Sequence, residues 1–356
     1  MFIFRHGGRR AQASLPTIVH SRFARRCFAS RIDIPFAPSP VPLIEHCPTP
    51  TCQCRDAPIG LDIEREQNIN GSMPSYAEQV LISTGHSDWP SKIEEDEGES
   101  SALVGQLRTL LLRDGNYSDP YRNIMLTNSD FPPTGPPAHQ SDPPSDPPNT
   151  PPASAFLLPS FQYVPTIPTQ PAAIEDFIKA FILPAKLHQS DARPSRAQQN
   201  ILLRQPELQK QFLGARKIDE ILVLICGHGG RDTRCGQLGP ILKAEFEEKL
   251  QRQNVALLHD KPVADAEVVD TAVEGYVPTA RVGLISHIGG HKWAGNVIVY
   301  IPPSFGGNAL AGMGIWYGRV GPEHVEGIVA KTVLEGKVIK ELFRGGIDAE
   351  RQIIRL

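Results

Sequence analysis

Two cysteines, Cys226 and Cys235, are separated by eight residues in "ICGHGGRDTRCGQLGP" (225–240), with Gly227, Gly229, Gly230 and Gly236 around them. No cysteine follows in the rest of the chain. Two histidines, His287 and His291, stand four apart in "SHIGGHKWAGN" (286–296), flanked by glycines. Thiolate and imidazole are soft and borderline donors, so the four together make a metal-ligand set. Zinc takes two cysteines with two histidines, but structural zinc sites usually space their cysteines about two to four residues apart. A [2Fe–2S] cluster is larger and bridges more widely spaced thiolates. A Rieske centre also uses two cysteines and two histidines, with both histidines on one iron. Each Rieske loop, however, gives one cysteine and one histidine. Here one loop carries both cysteines and the other both histidines, a Rieske-like donor set on a different scaffold. The glycines would let backbone amides approach the sulfides.

The elements around these loops explain how they would meet. "EILVLIC" (220–226) reads as a buried strand, followed by the cysteine loop and a helix from about Pro240 to Gln251 with Leu242, Phe246 and Leu250 four apart. "ARVGLIS" (280–286), "NVIVYI" (296–301) and "GIWYGRV" (314–320) are further strands, and Pro322 opens a helix with Val325, Ile328 and Val329 inward. The expected fold is α/β, a four-stranded sheet with covering helices of the thioredoxin-like kind. Both loops then leave the same end of a parallel strand pair.

The first half reads similarly. Strands are expected at 76–84, 123–130 and 153–161, with helices at 101–113 and 172–183. "LISTGHSDWP" (81–90) echoes "LICGHGGRDT" (224–233), with Thr84 standing where Cys226 does. The first half is thus expected to be a related, degenerate α/β domain at 45–190, and the second a ligand-bearing domain at 215–345. Residues 132–171 hold fourteen prolines, and 132–153 is expected to be an extended insertion without hydrogen-bonded structure.

Composition narrows the function classes. Residues 1–32 carry seven arginines and no acid, as mitochondrial targeting segments do. Without them the chain has 29 basic and 39 acidic residues, a net charge of −10. That charge argues against nucleic acid as a main partner. No apolar run reaches the roughly 18 residues of a membrane span. Six cysteines in 356 residues are too few for a disulfide scaffold.

The stretches "CGHGGRDTRCG", "SHIGGHKWAGNVIVY" and "WYGRV" closely resemble the sucrase/ferredoxin-like family of thioredoxin-like ferredoxins. "CPTPTCQC" (47–54) and "REQNINGSMPSYAEQVLISTGHSDWPSKIEED" (65–96) resemble its mitochondrial fungal branch. The resemblance implies that Cys226, Cys235, His287 and His291 bind a [2Fe–2S] cluster. It implies a mitochondrial protein, of matrix or intermembrane space, that acts in proton-coupled electron transfer or redox quality control. With no flavin or nicotinamide fingerprint, a separate electron donor or acceptor protein is implied. A thioredoxin-like thiol oxidoreductase, using Cys226/Cys235 or Cys52/Cys54, and a zinc-stabilised interaction module are the competing readings. His228 is expected to hydrogen-bond within its loop, and Arg231 and Arg234 to tune the site, contact a donor or pair with Asp232. Trp293 and Trp316 are expected to pack nearby, and Cys47, Cys52 and Cys54 to form a redox pair, a second metal site or an ordinary loop.

Overall fold

The strand that ends in Cys226 is apolar at every position, so both of its faces need cover. The computed structural model describes residues 39–96, 99–134, 153–190, 195–262 and 277–356, and in it this strand lies near the middle of a long sheet. The expected targeting segment and nearly all of the proline-rich insertion lie outside the described residues. In chain order the strands are β1 (Leu43–Ile44), β2 (Glu78–Ser83), β3 (Ile124–Ser129), β4 (Ala153–Leu158), β5 (Gln162–Ile167), β6 (Arg216–Lys217), β7 (Ile221–Cys226), β8 (Ala256–Leu257), β9 (Thr279–Ile285), β10 (Val297–Tyr300), β11 (Gly314–Tyr317), β12 (Val338–Ile339), β13 (Phe343–Ile347) and β14 (Ile353–Ile354). The α-helices are α1 (Glu99–Leu111), α2 (Pro171–Phe177), α3 (Arg196–Ile201), α4 (Thr233–Arg252) and α5 (Pro322–Ile328). The sheet order is β14-β13-β11-β10-β7-β9-β3-β2-β4-β5-β6, with β8 on β9. β1 and β12 form a separate parallel pair.

The fold is α/β, and its two halves repeat one topology. In the second half β7 is parallel to β9 and antiparallel to β10, and β10 is antiparallel to β11. In the first half β2 is parallel to β3 and antiparallel to β4, and β4 is antiparallel to β5. α1 and α4 are the crossovers of the two parallel pairs. Each half also ends in a helix that loosens into a π turn, α2 into Ile178–Ile182 and α5 into Val329–Leu334. The ten-residue echo in the sequence therefore sits at equivalent places in two equivalent folds.

The sheet is sharply bent between its halves. β2 and β10 are four strands apart in sheet order, about 19 Å in a flat sheet. Yet Tyr300 on β10 donates to Gln79 Oε1 on β2 at 2.8 Å, and Tyr300 and Tyr76 share a 2.5 Å hydroxyl contact. One face of each half packs on its own helices, with Leu103, Leu107 and Phe177 in the first half and Leu242, Phe246 and Val325 in the second. The opposite faces meet in a shared core that includes Leu81, Phe156, Leu224, Ile298, Trp316 and both site cysteines.

Three local readings differ from the sequence expectation. α4 begins at Thr233, not Pro240, because Asp232 caps it by accepting from the Arg234 amide at 3.0 Å. Cys235 therefore sits in the first helical turn, and Pro240 lies inside the helix. The stretch after 158 turns back as β5, so the proline-rich region ends in a hairpin that the proline count concealed. β13, which runs across the expected boundary at 345, and β14 extend the sheet past β11.

The bend is held by few bonds. β3 and β9 share one register pair, Ser129 with Ile285. Around it the Asp130 amide donates to Leu284 O at 3.0 Å, the Leu284 amide donates to Asp130 Oδ1 at 3.0 Å, and the Ser286 amide donates to Asn128 O at 2.9 Å. Asp130 Oδ2 also takes Lys243 Nζ of α4 at 2.6 Å. Asp130→Ala leaves a junction amide without its acceptor. It should lower stability by about 1–3 kcal/mol, read as a shifted urea midpoint with an unchanged m-value.

Candidate metal centre

β7 and β9 are parallel and in register from Ile221 with Ala280 to Cys226 with Ile285, so the loops after them start side by side. Cys226 is the last residue of β7, and Cys235 enters from the first turn of α4. Both are free and buried. The two sulfurs share one buried core, and the groups that act most on the Cys226 thiol are Cys235 and the His287 side chain. Cys235 holds Cys226 well below the ordinary thiol range despite its burial, while Cys235 is itself pushed up. His287 follows β9 by two residues. Gly289 and Gly290 then take positive φ and turn the chain back, so that the His291 ring lies 5.4 Å from the His287 ring. His291 is exposed. The donors thus form a cysteine pair and a histidine pair. Among the described residues no group of three or more His, Cys, Asp or Glu side chains gathers tightly around one ion.

Nδ1 of His287 is buried and has no hydrogen-bond partner among the described residues. The loop that carries it is anchored through its backbone. The His287 amide donates to Nδ1 of His228 at 3.0 Å, and His228 Nε2 lies 2.9 Å from both Trp89 O and Pro90 O. Two carbonyls require a donor and an amide requires an acceptor, so His228 is the neutral Nε2–H tautomer with both nitrogens engaged. Its side-chain partners lie on the matching loop of the first half and on the histidine loop, while within its own loop, as the sequence suggested, its carbonyl accepts from the Arg231 and Asp232 amides.

The glycines also serve differently from the expectation. The amides of Gly227, Gly229, Gly230 and Gly236 already bond to Ile285 O, Gly227 O, Asp88 Oδ1 and Asp232 O. Their role is close approach. A Cβ on Gly236 would lie 2.6 Å from Gly229 Cα, and one on Gly230 would lie 2.3 Å from Trp89 O. Arg234 is engaged in a two-pronged pair with Asp232, at 2.9 and 2.8 Å. Arg231 is exposed and donates to Ser91 Oγ at 3.0 Å. With Lys92, Arg108 and His287 it lines an open cavity of about 300 Å³. A larger cavity, about 420 Å³, lies at the edge strand β6 and is lined by no cysteine or histidine.

Arg344 was not legible as a site residue. It lies on β13, 1% exposed, and donates to Ser72 O, Ser72 Oγ, Gly289 O and Asn296 Oδ1, all uncharged. Its plane lies by Trp293 and Trp316, at 5.2 and 5.7 Å. Burial pulls its guanidinium down to about 10, still charged at neutral pH, and the groups that partly offset burial are Cys226 and Cys235.

The family described as sucrase/ferredoxin-like matches residues 69–345, a span that includes every one of these groups. The chain belongs to the sucrase/ferredoxin-like family. Relatives named Altered inheritance of mitochondria protein 32 are similar along most of its length. That of Meyerozyma guilliermondii is 28% identical over 325 residues, covering 86% of this chain and 95% of that protein. That of Clavispora lusitaniae is 30% identical over 319 residues, covering 85% and 95%. That of Candida glabrata is 36% identical over a shorter stretch of 126 residues, 35% of this chain and 32% of that protein. No solved structure matches.

Within this family member, His228 is the residue on which both loops depend. His228→Ala should cost about 1–3 kcal/mol for each buried group left unpaired, read by denaturant unfolding. An unchanged midpoint would show that the loops hold without it.

Proposed function

We propose that this chain is a mitochondrial iron–sulfur protein in which Cys226, Cys235, His287 and His291 hold one [2Fe–2S] cluster, and that it exchanges single electrons with a separate protein. The observation that carries the reading is the donor set itself: two buried free thiols in one core, beside an imidazole whose buried Nδ1 has no partner among the described residues. A buried polar atom left unpaired is costly unless something absent from the chain satisfies it. The split into a cysteine pair and a histidine pair suits two irons better than one.

When bound, the cluster supplies a one-electron couple in which neutral imidazole ligation raises the potential and admits proton uptake on reduction. The chain's own residues do the rest. Arg344 supplies positive charge behind the thiolates, where its uncharged hydrogen-bond partners do not neutralise it. His228 anchors the backbone of the histidine loop at His287. His291 is exposed, so a partner protein can approach the imidazole pair directly. Mitochondrial residence rests on the arginine-rich, acid-free residues 1–32 and on the printed names of the relatives.

Protein purified without oxygen should contain about two iron and two sulfide per chain, with a potential above the roughly −400 mV of plant-type ferredoxins. Cys226→Ser and Cys235→Ser should lose the iron, because a hard hydroxyl replaces a soft thiolate. Arg344→Met should lower the potential, since removing a nearby cation disfavours the added electron. Zinc in place of iron, or a metal-free protein with a Cys226–Cys235 disulfide, would overturn the reading in favour of the interaction module or the thiol oxidoreductase.

A further inference from the structure

A second thiol site lies at the other end of α4. Cys235 is near the start of that helix and Lys249 near its end, about 21 Å apart at 1.5 Å per residue. Lys249 is 3% exposed at its side chain, and its Nζ reaches Cys52 Sγ at 3.0 Å, Gln53 O at 3.2 Å and Glu245 Oε1 at 2.9 Å. Glu245 is also buried, and Arg55 pairs with it at 2.8 Å, so the Lys249 charge is not spent on Glu245 alone. Burial alone would pull the Lys249 ammonium down, but hydrogen bonds to Cys52 and Glu245 outweigh it and leave it raised. On its other side Cys52 Sγ lies 3.2 Å from Glu326 Oε2, a carboxylate that the Thr51 amide and hydroxyl hold.

Cys54 is one residue beyond Gln53 and half-buried, its thiol directed at Cys52 O. Burial, then Glu245, pushes the Cys54 thiol up, and it is the Cys52 sulfur that the Lys249 ammonium touches. Cys47 is different: burial and then Glu341 push it up to about 12, and its thiol donates to His324 O. The segment is held by carboxylates taking the amides of Cys47, Thr51 and Arg55, and no backbone–backbone hydrogen bond ties residues 46–60 among the described residues. Closing the short Cys52-x-Cys54 gap therefore breaks no sheet or helix. Ile59, fully exposed, offers an apolar contact a few residues on.

We propose that Cys52 and Cys54 form a thiol–disulfide exchange site for disulfides of a partner polypeptide, with Lys249 positioning and stabilising the Cys52 sulfur. Cys52, its proton given to water, attacks one sulfur of the partner disulfide. That disulfide breaks, a mixed disulfide forms, and the first partner thiolate leaves and takes a proton. Cys54, its proton likewise lost to water, attacks Cys52 Sγ and releases the second partner thiolate, which is protonated in turn. Two electrons and two protons have passed from Cys52 and Cys54, now joined by a disulfide, to the partner, now a dithiol. The one-residue spacing makes a strained and readily re-reduced disulfide, so exchange runs in both directions. This site does not depend on the cluster reading.

The test uses the full chain, purified anaerobically, with the aromatic disulfide dithionitrobenzoate as probe. Wild type should release about two equivalents of thionitrobenzoate rapidly and end with a Cys52–Cys54 disulfide in a peptide mass map. Cys54→Ser should release one and keep the mixed adduct on Cys52, and Cys52→Ser should lose the fast phase. Lys249→Met should slow that phase roughly tenfold, Lys249→Arg should restore most of it, and Glu326→Gln should speed it. Iron content should be the same in wild type and Cys52→Ser, so a failed cluster assignment and a failed dithiol assignment give different results. A fast phase that survives Cys52→Ser, or a Cys54→Ser protein that forms no lasting adduct, would overturn the proposal.

Discussion

A guanidinium with almost no solvent exposure needs negative charge beside it, and the Arg344 side chain finds none among its hydrogen-bond partners. Ser72, Gly289 and Asn296 satisfy its donors but not its charge. The acidic groups that favour its charge are the sulfurs of Cys226 and Cys235, although burial outweighs them. An uncompensated buried charge costs several kcal/mol, so the surroundings of Arg344 make sense around an anionic sulfur centre. The rest of the site follows from that pairing. β13 must lie beside β11 to deliver Arg344, α4 must start early enough to bring Cys235 to Cys226, and the histidine loop must fold back over both.

The repeated topology explains why so few bonds hold this arrangement. Each half is a complete strand–helix–strand unit, and the two are joined edge to edge at β3 and β9. The bend there buries a shared core and brings equivalent loops onto each other. The first half lacks the candidate ligands, with Thr84 in place of Cys226, but its loop is not idle. Asp88 takes the Gly230 amide, and Trp89 and Pro90 take His228. A half without donors has become the support for the half that carries them.

The candidate donors stand out in the sequence because their chemistry is unusual and their spacing local: soft side chains clustered after two buried strands differ from any background. The fold of the second half was legible for the same reason, since continuous apolar runs mark central strands. Arg344 was not, because a lone arginine in "LFRGGID" gives no local sign that it will be buried beside residues over a hundred positions away. The start of α4 was misread because Gly236, Gly239 and Pro240 are poor helix formers, and the packing of Gly236 on Gly229 overrides that preference. β5 was hidden by the prolines before it, and the partners of His228 were hidden because they lie in the other half of the chain.

The central claim is that two cysteines and two histidines of this chain hold a two-iron cluster. The most direct measurement is a low-temperature EPR spectrum of the dithionite-reduced protein with pulsed detection of nitrogen couplings, on wild type and on His291→Cys. The account predicts a spin-half signal with two strongly coupled nitrogens in the wild type, reduced to one in the variant. A wild-type signal without nitrogen coupling, or no signal from iron-loaded protein, would contradict it.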